Sequence, residues 1–157
     1  DLDRKVSASL ELREAWGRGE VELEQECPAG GVEAGVPAGL VLVEPTRVPR
    51  RGFGSRAGLV AHLHALAHIE WNAINLAWDA VRRFDAMPRD YYDDWTRVAA
   101  EEACHFAMLR ARLRELGSDY GLLPAHAGLW EAAEATTRDV LDRMALVPRV
   151  LEARGLD

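Results

Sequence analysis

Trp95-Thr96-Arg97-Val98-Ala99-Ala100-Glu101-Glu102-Ala103-Cys104-His105-Phe106-Ala107-Met108-Leu109 is the stretch on which the reading of this chain turns. Trp95, Val98, Ala99, Phe106 and Leu109 recur at helical spacing, and Leu113 and Leu116 continue the series, so one face of a long helix is apolar. Glu102 and His105 interrupt that face together, because residues three apart on a helix point to nearly the same side. Glu101 lies about 100° away around the helix and leaves the seam. Asp90 is the expected N-cap, Asp93 and Asp94 complement the positive helix start, and Gly117 is the expected stop.

Working outward, the next helix upstream should run from an N-cap at Ser55 to about Phe84. Leu59, Leu63, Leu66, Ala67, Ala73, Ile74, Ala77 and Val81 give it a buried stripe, and Glu70 falls among them. A lone buried carboxylate is costly, so Glu70 has to be protonated, hydrogen-bonded, paired with a cation or bound to a metal. His64 and His68 sit at other angles and read as surface or boundary histidines, with a supporting or ligating role as the alternative. The link through Met87 and Pro88 is short. Downstream, residues 118 to 128 read as a loop before a third helix from Leu129 to Arg154, bent at Pro148 and ended by Gly155. Residues 4 to 16 suit an N-terminal helix burying Leu10, Leu12, Ala15 and Trp16. The Pro/Gly-rich stretch from Cys27 to Gly54 suits an extended arm, with Leu40-Val41-Leu42-Val43 as a strand or a packed run. The expected fold is all-α, with residues 1–54 as helix and arm and residues 55–157 as a helical bundle.

The 157 residues carry a formal charge of −7, and their 19 basic residues comprise 18 arginines and one lysine, Lys5. That balance argues against a generic nucleic-acid binder, which needs a basic surface to replace phosphate counterions. The local cluster Arg47, Arg50, Arg51 and Arg56 reads as a solvated linker. No apolar run is long enough to span a membrane, the first residues do not form a secretory signal, and two cysteines make no disulfide framework. A cytoplasmic protein is the expectation. The chain opens on Asp1 where a natural start would place Met, which is compatible with a missing start.

A Glu-x-x-His pair on one helix with a glutamate from its neighbour is the donor arrangement of di-iron and di-manganese helical bundles. A carboxylate can bridge two ions while an imidazole binds one. The residues alone leave two readings open: Glu70, Glu102 and His105 as metal ligands, or a Glu–His pair satisfied by hydrogen bonding. Cys104 reads as a small packed thiol, His126 as a loop histidine or a cap for the third helix, and Trp71, Trp78, Trp95 and Trp130 as packing residues. Nothing resembles a phosphate-binding glycine loop, a Cys-x-x-Cys zinc site or a nucleophile elbow.

His64-Ala65-Leu66-Ala67-His68-Ile69-Glu70, Tyr91-Tyr92-Asp93-Asp94-Trp95, Glu101-Glu102-Ala103-Cys104-His105-Phe106 and Leu123-Pro124-Ala125-His126-Ala127-Gly128-Leu129-Trp130 together resemble the bacterial ferritin-like proteins of domain of unknown function family 455. Val147-Pro148-Arg149-Val150-Leu151-Glu152-Ala153-Arg154-Gly155-Leu156-Asp157 extends the likeness, which covers residue 46 to the end. Members look like relatives of a di-iron tRNA hydroxylase. The resemblance implies a ferritin-like bundle of two helix pairs, each giving one glutamate and one Glu-x-x-His. Glu70, Glu102 and His105 would complete the first set, and Glu152 matches the first member of the second. Glu102 and Glu152 would bridge, with Glu70 and His105 terminal. The implied cofactor is iron, two ions if the site is completed, with manganese as the alternative. The implied activity is that of an oxygen-activating oxidoreductase. The family pattern continues past Asp157 into a fourth helix, so the expectation is an incomplete bundle: a fragment, a chain completed by another molecule, or a degenerate site. Self-association over the uncovered groove is expected with it, and tRNA is a partner the acidic charge disfavours. The competing function is a non-catalytic helical scaffold with a degenerate metal site.

Overall fold

A computed structural model of the chain describes residues 1–22 and 35–146. Residues 1–126 form one compact unit and a second begins at Ala127.

In the first unit, α1 spans Leu2–Gly17, α2 Arg56–Arg83 and α3 Arg89–Glu115. Ser55 starts α2 as its sequence suggests: its hydroxyl accepts from the Gly58 amide at 3.0 Å. A glycine is needed at position 58 because a Cβ there would lie 2.7 Å from the Gly52 carbonyl oxygen. At the start of α3 the expectation fails. The cap position is Pro88, which makes no side-chain cap bond, and Asp90 lies inside the first turn. Pro88 takes the extended backbone of a cap residue (φ −56°, ψ 151°) and has no amide to satisfy, so the helix begins at Arg89, two residues earlier than an Asp90 cap allows. Gly117 does end α3, at φ +67°.

The five-residue link between α2 and α3 makes them an antiparallel pair, and alanines let them approach closely. Ala67, Ala77, Ala99 and Ala103 are all fully buried. Beside them Trp71, Phe106 and Tyr120 form an aromatic wall: Trp71 and Phe106 centroids lie 5.1 Å apart, and Phe106 meets Tyr120 edge to face, also at 5.1 Å. Tyr120 comes from the loop after α3. That loop is held to the 40s by Ala125, whose amide donates to Val41 (3.1 Å) and whose carbonyl accepts from Val43 (2.8 Å). The run Leu40–Val43 is thus an extended arm that buries Leu40, leaves Val41 and Leu42 exposed and makes one parallel bridge, Leu42 to Ala125.

α1 runs antiparallel to α3, as three polar contacts establish: Arg110 donates to Asp3 at 2.8 Å, Arg13 to Thr96 at 3.0 Å, and the Trp16 indole to Asp93 at 2.6 Å. The expected apolar face of α1 is therefore corrected. Trp16 is buried, but Leu12 is 44% exposed. Lys5, Ser9, Arg13 and Trp16 join Leu2 and Val6 on the docking face, and its polar members hide it from a reading based on hydrophobic periodicity.

In the second unit the single helix expected over 129–154 is broken among the described residues into α4 Gly128–Ala135 and α5 Val140–Met144, and residues 147–154 lie outside them. Thr136 turns its hydroxyl back to the Ala132 carbonyl (3.0 Å), and Asp139 accepts from the Leu141 and Asp142 amides to start α5 afresh. The buried Arg143 secures the break, donating to Thr136 Oγ1 (2.9 Å) and the Ala133 carbonyl (2.7 Å). Pro148 and Gly155 lie outside the described residues. Among the described residues no helix is long and apolar enough to cross a membrane.

Candidate metal centre

α2 presents Glu70 and α3 presents Glu102 and His105 from facing positions. One donor atom from each of the three lies within 4.8 Å of the others. Both glutamates are partly buried, while the His105 side chain is 49% exposed. His105 Nδ1 is 2.9 Å from Glu102 Oε2, a bond that fixes the ring against the carboxylate. With a proton on Nδ1, Nε2 keeps its lone pair. Glu101 belongs to a different face: it is exposed and sits 3.7 Å from Arg97. Glu152 and Cys27 lie outside the described residues. Cys104, expected as a packed thiol, is exposed. It projects away from the α2 contact that buries Ala103 beside it.

His64 and His68 are the larger correction. Only 2% and 8% of their surfaces are exposed. The Gly121 amide donates to His64 Nε2 at 3.0 Å, which requires a lone pair there. His68 Nδ1 lies 2.8 Å from the Tyr120 hydroxyl and Nε2 lies 3.0 Å from the His126 carbonyl. The carbonyl can only accept, so Nε2 carries the proton and Tyr120 donates to Nδ1. Burial, helped by the neighbouring His68, pushes His64 down to about 4. Burial also lowers His68, against the opposing pull of the His126 carbonyl, and raises the Tyr120 phenol. Both imidazoles are thereby kept neutral. The loop fold that brings Tyr120 and Gly121 over α2 is what buries these histidines, and no helical periodicity encodes it. Their spacing, with Asn72 four further on, was the available signal. His126 contributes its backbone carbonyl, and α4 starts without a side-chain cap.

Two carboxylates and an imidazole form an O, O, N donor set that suits iron, manganese or zinc. The described residues thus define an all-helical protein whose two longest helices hold such a set at their contact. The chain belongs to the family described as Protein of unknown function (DUF455), which matches residues 1–157. Over 131 residues it is 51% identical to an uncharacterized protein of Haemophilus influenzae, a stretch covering 79% of this chain and 46% of that relative. The chain therefore spans less than half the length of that relative. No solved structure matches it.

Proposed function

We propose that Glu70, Glu102 and His105 hold a divalent first-row transition ion, as one half of a two-metal carboxylate centre of the ferritin-like kind. The observation that supports this most is the convergence of three donor atoms within 4.8 Å from two helices. Iron is the proposed metal and manganese the alternative, with Glu152 as a further ligand on the strength of the family resemblance alone. Bound iron would supply redox chemistry toward dioxygen, which makes an oxidoreductase the proposed activity. The residues' own part is positional. Glu102 orients the His105 ring, and the packed α2–α3 contact fixes Glu70 opposite them. The half-exposed His105 side leaves the donors open to solvent and to a second set of ligands.

Anaerobic titration of the chain with Fe(II), followed by metal analysis after gel filtration, tests the proposal. Stoichiometric binding that Glu70→Gln weakens by at least about tenfold is expected. A folded wild-type chain that retains no iron, manganese or zinc overturns it.

The Glu102–His105 hydrogen bond also favours a second reading, a helical scaffold in which the pair is purely structural. That reading requires Glu102→Gln to keep the thermal midpoint, and metal ions to leave the midpoint of the wild type unchanged. A metal-dependent rise in the wild-type midpoint removes it.

A further inference from the structure

Lys5 stands alone among 18 arginines, and it does not occupy the solvated position usual for a lysine. From α1 its Nζ lies 4.0 Å from the centre of the Trp71 ring and donates to Asn75 Oδ1. Backbone forms another wall. A Cβ placed on Gly35 would be 3.8 Å from Lys5 Nζ and 3.5 Å from Asn75 Oδ1. The Gly35 carbonyl accepts from the Trp71 indole at 2.8 Å, which holds ring and backbone together. None of the ion pairs among the described residues includes Lys5: the nearby acidic residue of its own helix, Asp3, pairs with Arg110.

A desolvated ammonium without a counter-ion favours loss of its proton. Burial takes Lys5 down to about 7, while the Trp71 face, which attracts a cation, acts in the opposite sense. Near neutral pH a substantial fraction of the amine then has a free lone pair. The second observation is independent of titration: Asn75 Nδ2 is buried and has no hydrogen-bond partner among the described residues. A buried donor left unpaired costs about 1–3 kcal/mol. It belongs to the same amide whose oxygen accepts from Nζ, so it is the donor next to Nζ. Lys5 as a whole keeps part of its surface in solvent.

We propose that Lys5 and Asn75 form a covalent binding site for a small aldehyde. The Nζ lone pair forms a C–N bond to the carbonyl carbon while the carbonyl π pair moves to oxygen, where Asn75 Nδ2 donates. Transfer of two protons from Nζ to that oxygen releases it as water and leaves a C=N bond. Nothing is oxidised or reduced. Trp71 and the backbone at Gly35 flank Nζ on two sides, which disfavours a bulky ligand. The site does not depend on metal at Glu70, Glu102 and His105.

The test is to treat the folded chain at pH 7 with glycolaldehyde and sodium cyanoborohydride, which traps the imine, and to map the modified peptide by mass spectrometry. Lys5 is the single lysine, so its competitor is the amino group of Asp1, which mapping separates. Lys5 should be modified about tenfold or more faster than N-acetyl-lysine methylamide in the same solution. Asn75→Leu, checked for its fold by circular dichroism, should lower that rate by about tenfold. Modification no faster than the free amino acid derivative, or only after unfolding, overturns the proposal in the wild type, whatever the variant does. An unchanged rate in folded Asn75→Leu overturns the role given to Asn75.

Discussion

Two polar clusters share α2 and have opposite fates. Glu70, with Glu102 and His105, lies where α2 meets α3 and opens to solvent on the His105 side. His64 and His68, less than two turns earlier, are sealed beneath Tyr120 with their polar contacts supplied by Gly121, Tyr120 and His126. The difference is one of completion. The sealed cluster has each imidazole nitrogen that faces the loop matched to a donor or acceptor, so it serves the fold. The open cluster gathers two carboxylates and an imidazole at one place with one side in solvent, a donor set that a cation would complete.

The sealed cluster is the place to break the fold. Tyr120→Ala removes a buried aromatic from the wall with Trp71 and Phe106 and leaves His68 Nδ1 unmatched. A loss of about 3–5 kcal/mol in urea unfolding is expected. Acid should follow with a somewhat smaller effect. The unfolded chain takes up a proton on His64 near pH 6.5, whereas the folded chain resists until about 4. Stability from this group is therefore complete above pH 6.5 and is lost as pH falls toward 4, by on the order of 1–3 kcal/mol. Urea midpoints at pH 7.5, 6 and 5 would show the slope, and His64→Gln should flatten it.

The open cluster should answer in binding more than in stability. Glu70→Gln is expected to weaken Fe(II) or Mn(II) binding by at least about tenfold, read by titration. Its unfolding midpoint should move far less than that of Tyr120→Ala. The smallest effect belongs to Glu101→Gln, which breaks only an exposed contact with Arg97. Metal affinity should stay constant and stability should change by less than about 0.5 kcal/mol. A Glu101→Gln effect as large as that of Glu70→Gln would erase the distinction between the two faces of α3.

What the sequence disclosed follows the same division. α2 and α3 were legible because their apolar stripes are long and Ser55 and Gly117 mark an end of each. The juxtaposition of Glu70, Glu102 and His105 was legible because all three interrupt those stripes. The sealing of His64 and His68 was not, since it depends on where the loop after α3 folds back, a contact 52 to 58 residues distant along the chain. The α4–α5 break was hidden by a helical seam that continues through Thr136 and Val140. Local side-chain bonding at Thr136 and Asp139 outweighs that seam. The docking face of α1 was hidden because it reads as polar.

That face has a kinetic consequence. The α2–α3 hairpin closes over the five residues 84–88, whereas α1 reaches its seat only after residues 18–55 have been spanned. The longer closure costs about 2 kcal/mol more entropy before any contact is made. Its return comes from the packing of Leu2, Val6 and Trp16 together with polar bonds such as Arg13 to Thr96 and Trp16 to Asp93, each modest in water. The hairpin should therefore form first and α1 dock late, and amide exchange in α1 should report a local opening that precedes global unfolding.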